Sequence, residues 1–388
     1  MEVVSTQVGA IADSLRSFAD FSLSLPEDIP CDFLFGNPHE VASRAYVETL
    51  QRAAEPVDAM HYAYTMNLPA AAEAVAAGLT ERFGTAFDPQ DVCLTNGNFA
   101  GLSVVLRTVC DPGDEVVYLS PPWFFYESLI LSVGAAPVRV LATADTYDLD
   151  LDAIAAAIGP RTRAVIVNSP HNPSGRIYPP EVLDALARVL TEASDRNGRP
   201  VFLVSDEAYN RIVFDGRTFP TPVTRYPYSF LLYTYAKTLL APGSRLGYIA
   251  MPSTMPEREA LRLPLLVAQI STGWAYPISL LQHAVPELER LGPDIDALER
   301  RRDTLVGALR HQGYDAMLPE GTFYVLVTSP LADDEAFCDL LVKRGVYVLP
   351  GAVFEAPGRF RISLTANDEM VERATPAFAE AIDEAASR

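Results

Sequence analysis

Residues 163–209 read RAVIVNSPHNPSGRIYPPEVLDALARVLTEASDRNGRPVFLVSDEAY. RAVIVN (163–168) is a short β-rich run. PPEVLDALARVLTEAS opens on Pro179-Pro180, carries Glu181 early and repeats apolar residues at helical spacing. VFLVS (201–205) is a second β-rich run. Further runs stand at DVCLT (91–95), EVVYLS (115–120), PVRVL (137–141), SFLLYTY (229–235) and LGYIAM (246–251), with the helical patterns FAGLSVVLRTV and DLDAIAAAI among them. This alternation predicts an α/β fold: a large three-layer domain whose mainly parallel seven-stranded sheet is covered by helices on both faces.

Beyond the last run the pattern changes. From about residue 287, ELERLGPDIDALERRRDTLVGALRHQG reads as one long polar helix. Strands YVLVT and YVLPG and a final helix, NDEMVERATPAFAEAIDEAA, follow. A smaller α+β domain is expected there, and residues 10–54, helical or irregular, are expected to fold back onto it. The division reads 1–50 for an N-terminal arm and part of the small domain, 51–285 for the large domain, and 286–388 for the C-terminal small domain. Neither an internal repeat nor a low-complexity linker interrupts the chain.

At 388 residues the chain exceeds the usual size of a single core. Its 49% apolar content describes a packed globular protein. A formal charge of −20 argues against nucleic acid and anionic membrane surfaces, both of which call for a basic face. The N-terminus lacks a secretory pattern and no apolar run is long enough to span a bilayer, so a cytoplasmic location is expected. Cys31, Cys93, Cys110 and Cys338 are scattered and suggest neither a metal site nor a disulfide framework.

Ligands of such sheets bind beyond the carboxyl ends of the strands, and the unusual residues cluster there. TNGNF puts Gly97 before a helix starting near Phe99, where free N–H groups can hold an anion. Asp206 ends the run VSD, Asn172 lies between two prolines, and Trp123 is one of only two tryptophans. Each of these alone has an ordinary structural reading as a cap, a turn or core. Lys237 is sharper. The chain holds only two lysines, at 237 and 343, and 237 follows the apolar run SFLLYTY. Burying an ammonium is costly, while a free amine attacks carbonyls. Arg245, eight residues on in GSRLGY, offers a fork for phosphate. A ligand with a carbonyl, a phosphate, a basic ring nitrogen and a flat face satisfies all of these. Pyridoxal 5′-phosphate is such a ligand.

With these residues in place, the sequence resembles the fold-type I enzymes dependent on pyridoxal 5′-phosphate (PLP), specifically the class I/II aminotransferase family. The resemblance rests on FGNP (35–38), YAYT (62–65), TNGNFAGL (95–102), SPPWFFY (120–126), NSPHNPSGRIY (168–178), SDEAYNRIVFDG (205–216), TYAKTLLAPGSRLGY (234–248), PEGTFY (319–324), VYVLPGAVF (346–354) and GRFRISL (358–364), in the family's order and across nearly the whole chain. It implies that Lys237 bonds the cofactor's aldehyde and then shuttles the α-proton, with Asp206 on the ring nitrogen. It further implies that Asn172 and Tyr209 bond the phenolic oxygen, Trp123 stacks on the ring, and Gly97, Asn98, Phe99, Thr234 and Arg245 hold the phosphate. Tyr64 would reach the phosphate of a neighbouring subunit, implying a homodimer with shared sites. Arg361 would take the substrate α-carboxylate, beside Gly36 and Asn172.

Two segments depart from the family pattern. Pro69 and AAAEAVAAGL replace a glycine followed by Leu-Arg, and STGWAYP (271–277) brings Trp274 and Tyr276 where small residues are usual. His39 and His61 lie near the motifs and are expected in core or surface roles. Transfer of an amino group between an L-amino acid and a 2-oxo acid is the first reading of function. The alternative keeps the cofactor but runs a β/γ-elimination, cyclisation, or decarboxylating or oxidative deamination. A binding module without turnover is disfavoured by the presence of Lys237 and the absence of a helix-turn-helix segment.

Overall fold

In the computed structural model, which describes residues 3–387, all seven of these β-rich runs form one sheet. In spatial order its strands are Val92–Thr95, Gly247–Ala250, Ser229–Thr234, Phe202–Asp206, Thr162–Asn168, Glu115–Ser120 and Ala136–Leu141. Six run in one direction, and Gly247–Ala250 is antiparallel to both its neighbours. Alternate side chains enter different cores. Val116, Tyr118, Ile166 and Val204 pack against Leu102, Val105 and Leu106 of helix Gly97–Val109. Val117, Val165, Val167 and Leu203 pack against Leu183, Leu186 and Leu190 of helix Pro180–Asn197. Both faces of the central strands are therefore dry, as a parallel sheet requires, while the edge strand Ala136–Leu141 stays largely exposed.

The register sets the carboxyl ends side by side. Asn168 is opposite Asp206, and Thr234 and Thr95 both stand opposite Gly247. A second sheet, of Leu349–Pro350, Arg359–Ser363 and Tyr324–Thr328, is antiparallel. Cys31–Asp32 pairs in parallel with Val346–Tyr347, which ties the N-terminal segment to the C-terminal part of the chain.

Two elements differ from the sequence reading. The expected long helix from residue 287 is two elements. Ser279–Leu288 ends there, and Ile295–His311 starts only after Gly292-Pro293. Proline disfavours helix at the residue before it, and Asp294 restarts the helix by accepting from the Ala297 N–H. YVLPG also divides: Val346–Tyr347 pairs with the N-terminal strand, whereas Leu349–Pro350 pairs with Phe360 and Arg361.

Candidate active site

Lys237 sits on the short helix Tyr235–Thr238, immediately after strand Ser229–Thr234. The Thr234 hydroxyl caps that helix by accepting from Ala236 N–H and donates to Leu246 O at 3.1 Å. Lys237 faces a cavity of about 250 Å³ whose lining also includes Asn98, Phe99, Trp123, Asn172, Asp206, Tyr209, Thr234 and Arg245. Its Nζ lies 5.6 Å from the centroid of Phe323 and 6.0 Å from that of Tyr209.

Asp206 closes its strand with both carboxylate oxygens engaged. Asn98 Nδ2 donates to Oδ1 at 2.5 Å and the Tyr126 hydroxyl donates to Oδ2 at 2.6 Å. Burial pushes Asp206 above the ordinary carboxylate range, against the opposing pull of Tyr126, the Ala208 N–H, Asn98 and the Lys237 charge. Such a carboxylate gains from a cation brought to it. Burial, followed by the Asp206 charge, holds the Tyr126 phenol well above its usual value, so it remains a proton donor.

An anion cradle forms beside it. Helix Gly97–Val109 starts without a side-chain cap, which leaves its first N–H groups free. Gly97 has φ +80°, and a Cβ there would lie 2.9 Å from an Arg245 Nη and 3.6 Å from Thr234 Oγ1. Arg245 donates to Pro242 O at 2.9 Å, and no ion pair to it is found among the described residues. Two donor types, the free helix N–H groups and the Arg245 guanidinium, thus converge where the chain tolerates no side chain.

A relay leads from Asp206 to the second sheet. Asn168 Nδ2 donates to Asp206 O at 2.9 Å, Asn172 N–H to Asn168 Oδ1 at 2.7 Å, and Arg361 Nη1 to Asn172 Oδ1 at 2.9 Å. Arg361 Nη2 donates to Leu34 O at 2.8 Å, while its buried Nε has no partner. The guanidinium lies 3.8 Å over the Tyr324 ring. A Cβ on Gly36 would come within 2.8 Å of Phe323 and 3.1 Å of the Tyr324 hydroxyl, so only glycine fits there. Tyr209 and Tyr324 pack edge-to-face at 5.9 Å. Burial resists charging either phenol. The Arg361 and Lys237 charges ease loss of the first proton, from Tyr324, and Tyr209 is held well above its usual value.

Behind the cavity, Glu289 collects Tyr235 Oη at 2.5 Å, Arg211 Nη2 at 2.7 and 2.8 Å, and Arg82 Nη1 at 3.1 Å. Arg211 lies two residues past Tyr209 and stacks on Tyr233 at 4.6 Å. In helix Pro69–Phe83 a Cβ on Gly78 would fall 2.7 Å from Glu289 Oε2. The departure AAAEAVAAGL thus places a glycine where the Glu289 carboxylate comes closest to this helix.

Of the residues singled out in the sequence, Tyr64 stands apart: its side chain is fully exposed and lines no part of this cavity. Trp274 borders a separate cleft beyond Phe99 and Arg245, and Tyr276 a cavity beside Cys93. His39 faces Asp32 at 3.5 Å, and buried His61 stacks on His283 at 3.8 Å. Tyr126, Asn168 and Tyr324 lie inside the motifs SPPWFFY, NSPHNPSGRIY and PEGTFY, but the sequence alone assigns them no role. A tyrosine three positions after Trp123 was the available signal for the first.

The family model for aminotransferase class I and II matches residues 32–378. The aspartate/prephenate aminotransferase of Thermus thermophilus is 33% identical over 333 residues, covering 84% of each chain. An arginine–pyruvate transaminase of Pseudomonas aeruginosa is 31% identical, covering 81% of this chain and 80% of that one. Among solved structures, an amino transferase from Eubacterium rectale superposes with a TM-score of 0.89 at 30% identity, over 99% of both chains. A tetra mutant of the aspartate aminotransferase of Thermus thermophilus gives 0.82 at 29%, over 98% of this chain and 100% of that one. The chain belongs to the aminotransferase class I and II family, whose members depend on pyridoxal 5′-phosphate and share the fold-type I architecture.

Proposed function

We propose that the protein is a PLP-dependent aminotransferase that exchanges an amino group between an L-amino acid and a 2-oxo acid. One observation carries this reading: Lys237, Asp206 and the Gly97–Arg245 cradle open onto one cavity. The residues fit the cofactor. The uncapped helix start and Arg245 suit a phosphate, and a buried carboxylate raised by desolvation suits a cationic ring nitrogen.

Gly97, Asn98, Phe99, Thr234 and Arg245 would hold the phosphate, Trp123 the ring face, Asp206 the ring nitrogen, and Asn172 and Tyr209 the phenolic oxygen. When bound, the cofactor supplies an aldehyde for amines and a cationic ring that draws electrons from the substrate Cα. Lys237 Nζ is the group that takes and returns the proton at Cα. Arg361, with its unused Nε, holds the α-carboxylate beside Gly36 and Asn172. Asn98 and Tyr126 fix the Asp206 carboxylate in place.

The division into arm, large domain (51–285) and small domain (286–388) belongs to the same reading, as does a cytoplasmic homodimer in which exposed Tyr64 serves the neighbouring site. No helix among the described residues is long and apolar enough to cross a membrane. The relatives are named for transamination, and nothing observed favours the elimination or deamination alternative. Their named substrates range over aspartate, prephenate, arginine and valine, so none fixes the side chain here.

The test is to load the purified protein with PLP and supply amino-acid donors with 2-oxoglutarate. Stoichiometric formation of the donor's oxo acid and glutamate is expected, with loss of the bound-cofactor absorbance in Lys237→Ala. Ammonia or pyruvate released without glutamate would replace this reading with the alternative. Light scattering should give twice the chain mass.

A further inference from the structure

We infer that the site selects amino acids with a large apolar or aromatic side chain over dicarboxylic ones; the inference rests on the aminotransferase reading above. A continuous series of rings runs from the Lys237 cavity to the segment carrying Gly36. Phe99 meets Trp123 at 5.2 Å, and each of them meets Phe125, at 5.0 and 5.1 Å. Phe125 meets Phe18 at 5.2 Å. Phe18 stacks on Phe124 at 4.5 Å, with planes 19° apart, and reaches Phe35 at 6.0 Å. Phe35 is the neighbour of Gly36, which abuts the Tyr324 ring system under Arg361. Phe354 continues the same apolar cluster and lies 5.9 Å from Arg361.

Of these rings Phe99, Trp123 and Phe125 line the Lys237 cavity itself, as does Tyr209, so a substrate anchored at Arg361 and Lys237 meets rings around its remaining side chain. A second carboxylate would need a cation, because burying an unpaired charge against rings is costly. The cations lining the cavity are Lys237 and Arg245, and both have other work in this reading. Shared sites would not change the balance. VDAMHYAYTMNL (57–68) and STGWAYP (271–277), the segments placed nearest a neighbouring site by the family resemblance, contain no Lys or Arg. Aromatic walls instead favour apolar and aromatic ligands, through burial and ring stacking.

Phe18 provides a probe: it is partly buried at the edge of one core cluster, against Phe35 and Phe124, rather than inside it, and the unfolding midpoint of Phe18→Ala, measured beside its kinetics, separates lost stability from lost selectivity. Two measurements on the PLP-loaded enzyme test the inference. The first is kcat/KM for L-phenylalanine, L-leucine, L-alanine, L-aspartate and L-glutamate. The second is calorimetric binding of the unreactive acids 3-phenylpropanoate and succinate. L-Phenylalanine is expected to exceed L-aspartate, and 3-phenylpropanoate to bind more tightly than succinate, each by at least about tenfold. Phe18→Ala is expected to lower kcat/KM for L-phenylalanine about tenfold more than for L-alanine. Best turnover of an acidic donor, tighter succinate binding, or an unchanged preference in Phe18→Ala overturns the inference and leaves transamination intact. If no donor yields an oxo acid while 3-phenylpropanoate still outbinds succinate, transamination falls and the side-chain selectivity stands.

Discussion

The hydroxyl of Tyr126 donates to Asp206 Oδ2 at 2.6 Å, across 80 positions of sequence. A hydrogen bond to a buried charged group contributes about 1.5–3 kcal/mol. Tyr126→Phe should therefore retain cofactor but lose kcat roughly tenfold or more, because the Asp206 carboxylate becomes harder to keep ionised. The pH profile of kcat checks this: its lower-pH limb should move upward. An unmoved profile with full kcat would show that Tyr126 merely fills space.

Arg361 places two of its nitrogens on Asn172 and Leu34 and leaves Nε unpartnered. Lysine cannot reproduce this fork. Arg361→Lys should raise KM for amino acids by about 10²-fold or more, with a smaller change for an amine that lacks a carboxylate. Equal losses for both substrates would remove Arg361 from carboxylate binding.

Glu289 is the counter-charge of buried Arg211. Removing one member of a buried ion pair costs about 3–5 kcal/mol. Glu289→Ala should lose stability on that scale in urea unfolding, and Tyr235→Phe about 1 kcal/mol. A loss below about 1 kcal/mol for Glu289→Ala would mean that water replaces the carboxylate.

Two buried groups carry opposite pH signatures. Burial pushes Glu207 from 4.5 up to about 7, against hydrogen bonds from Thr221, Asn210 and Ser205. The folded state thus holds an extra proton, and the Glu207 contribution to stability falls as pH rises from 4.5 to about 7. Burial lowers His171 from 6.5 to about 4. Its Nε2 faces Pro121 O, which can only accept, so Nε2 donates there and Nδ1 accepts from Ser174. The unfolded chain binds that proton first, so the His171 contribution rises with pH between about 4 and 6.5. Unfolding free energies of wild type minus Glu207→Gln should fall across pH 5–7, by on the order of 1–3 kcal/mol. Wild type minus His171→Asn should rise from pH 4 to 6.5. Flat differences would show that both groups are hydrated in solution.

The sheet was legible because its strands are short, mostly apolar runs alternating with helical patterns, and the central ones are covered on both faces; the edge strand Ala136–Leu141, with Arg139 and exposed Leu141, carries the weakest signal. Lys237, Asp206 and Arg245 were legible because strand ends concentrate chemistry and lysine is scarce here. Tyr126 and Tyr324 were not, since their roles depend on which strand end or ring comes opposite them in space. The Glu289 cluster was further out of reach, its partners lying 54, 78 and 207 positions away. The helix expected from residue 287 failed on one local rule, the break imposed by Gly292-Pro293.

Gly78 leaves the gap that Glu289 fills, and four donated hydrogen bonds keep the carboxylate from swinging aside. A methyl at 78 would force the Glu289 carboxylate to shift against those bonds. The two positions are therefore coupled: a bulkier residue at 78 is best accommodated by a shorter one at 289. A chimera that imports residues 69–80 from a relative with a larger residue at 78 should misplace Arg211 and Tyr235 unless position 289 travels with it.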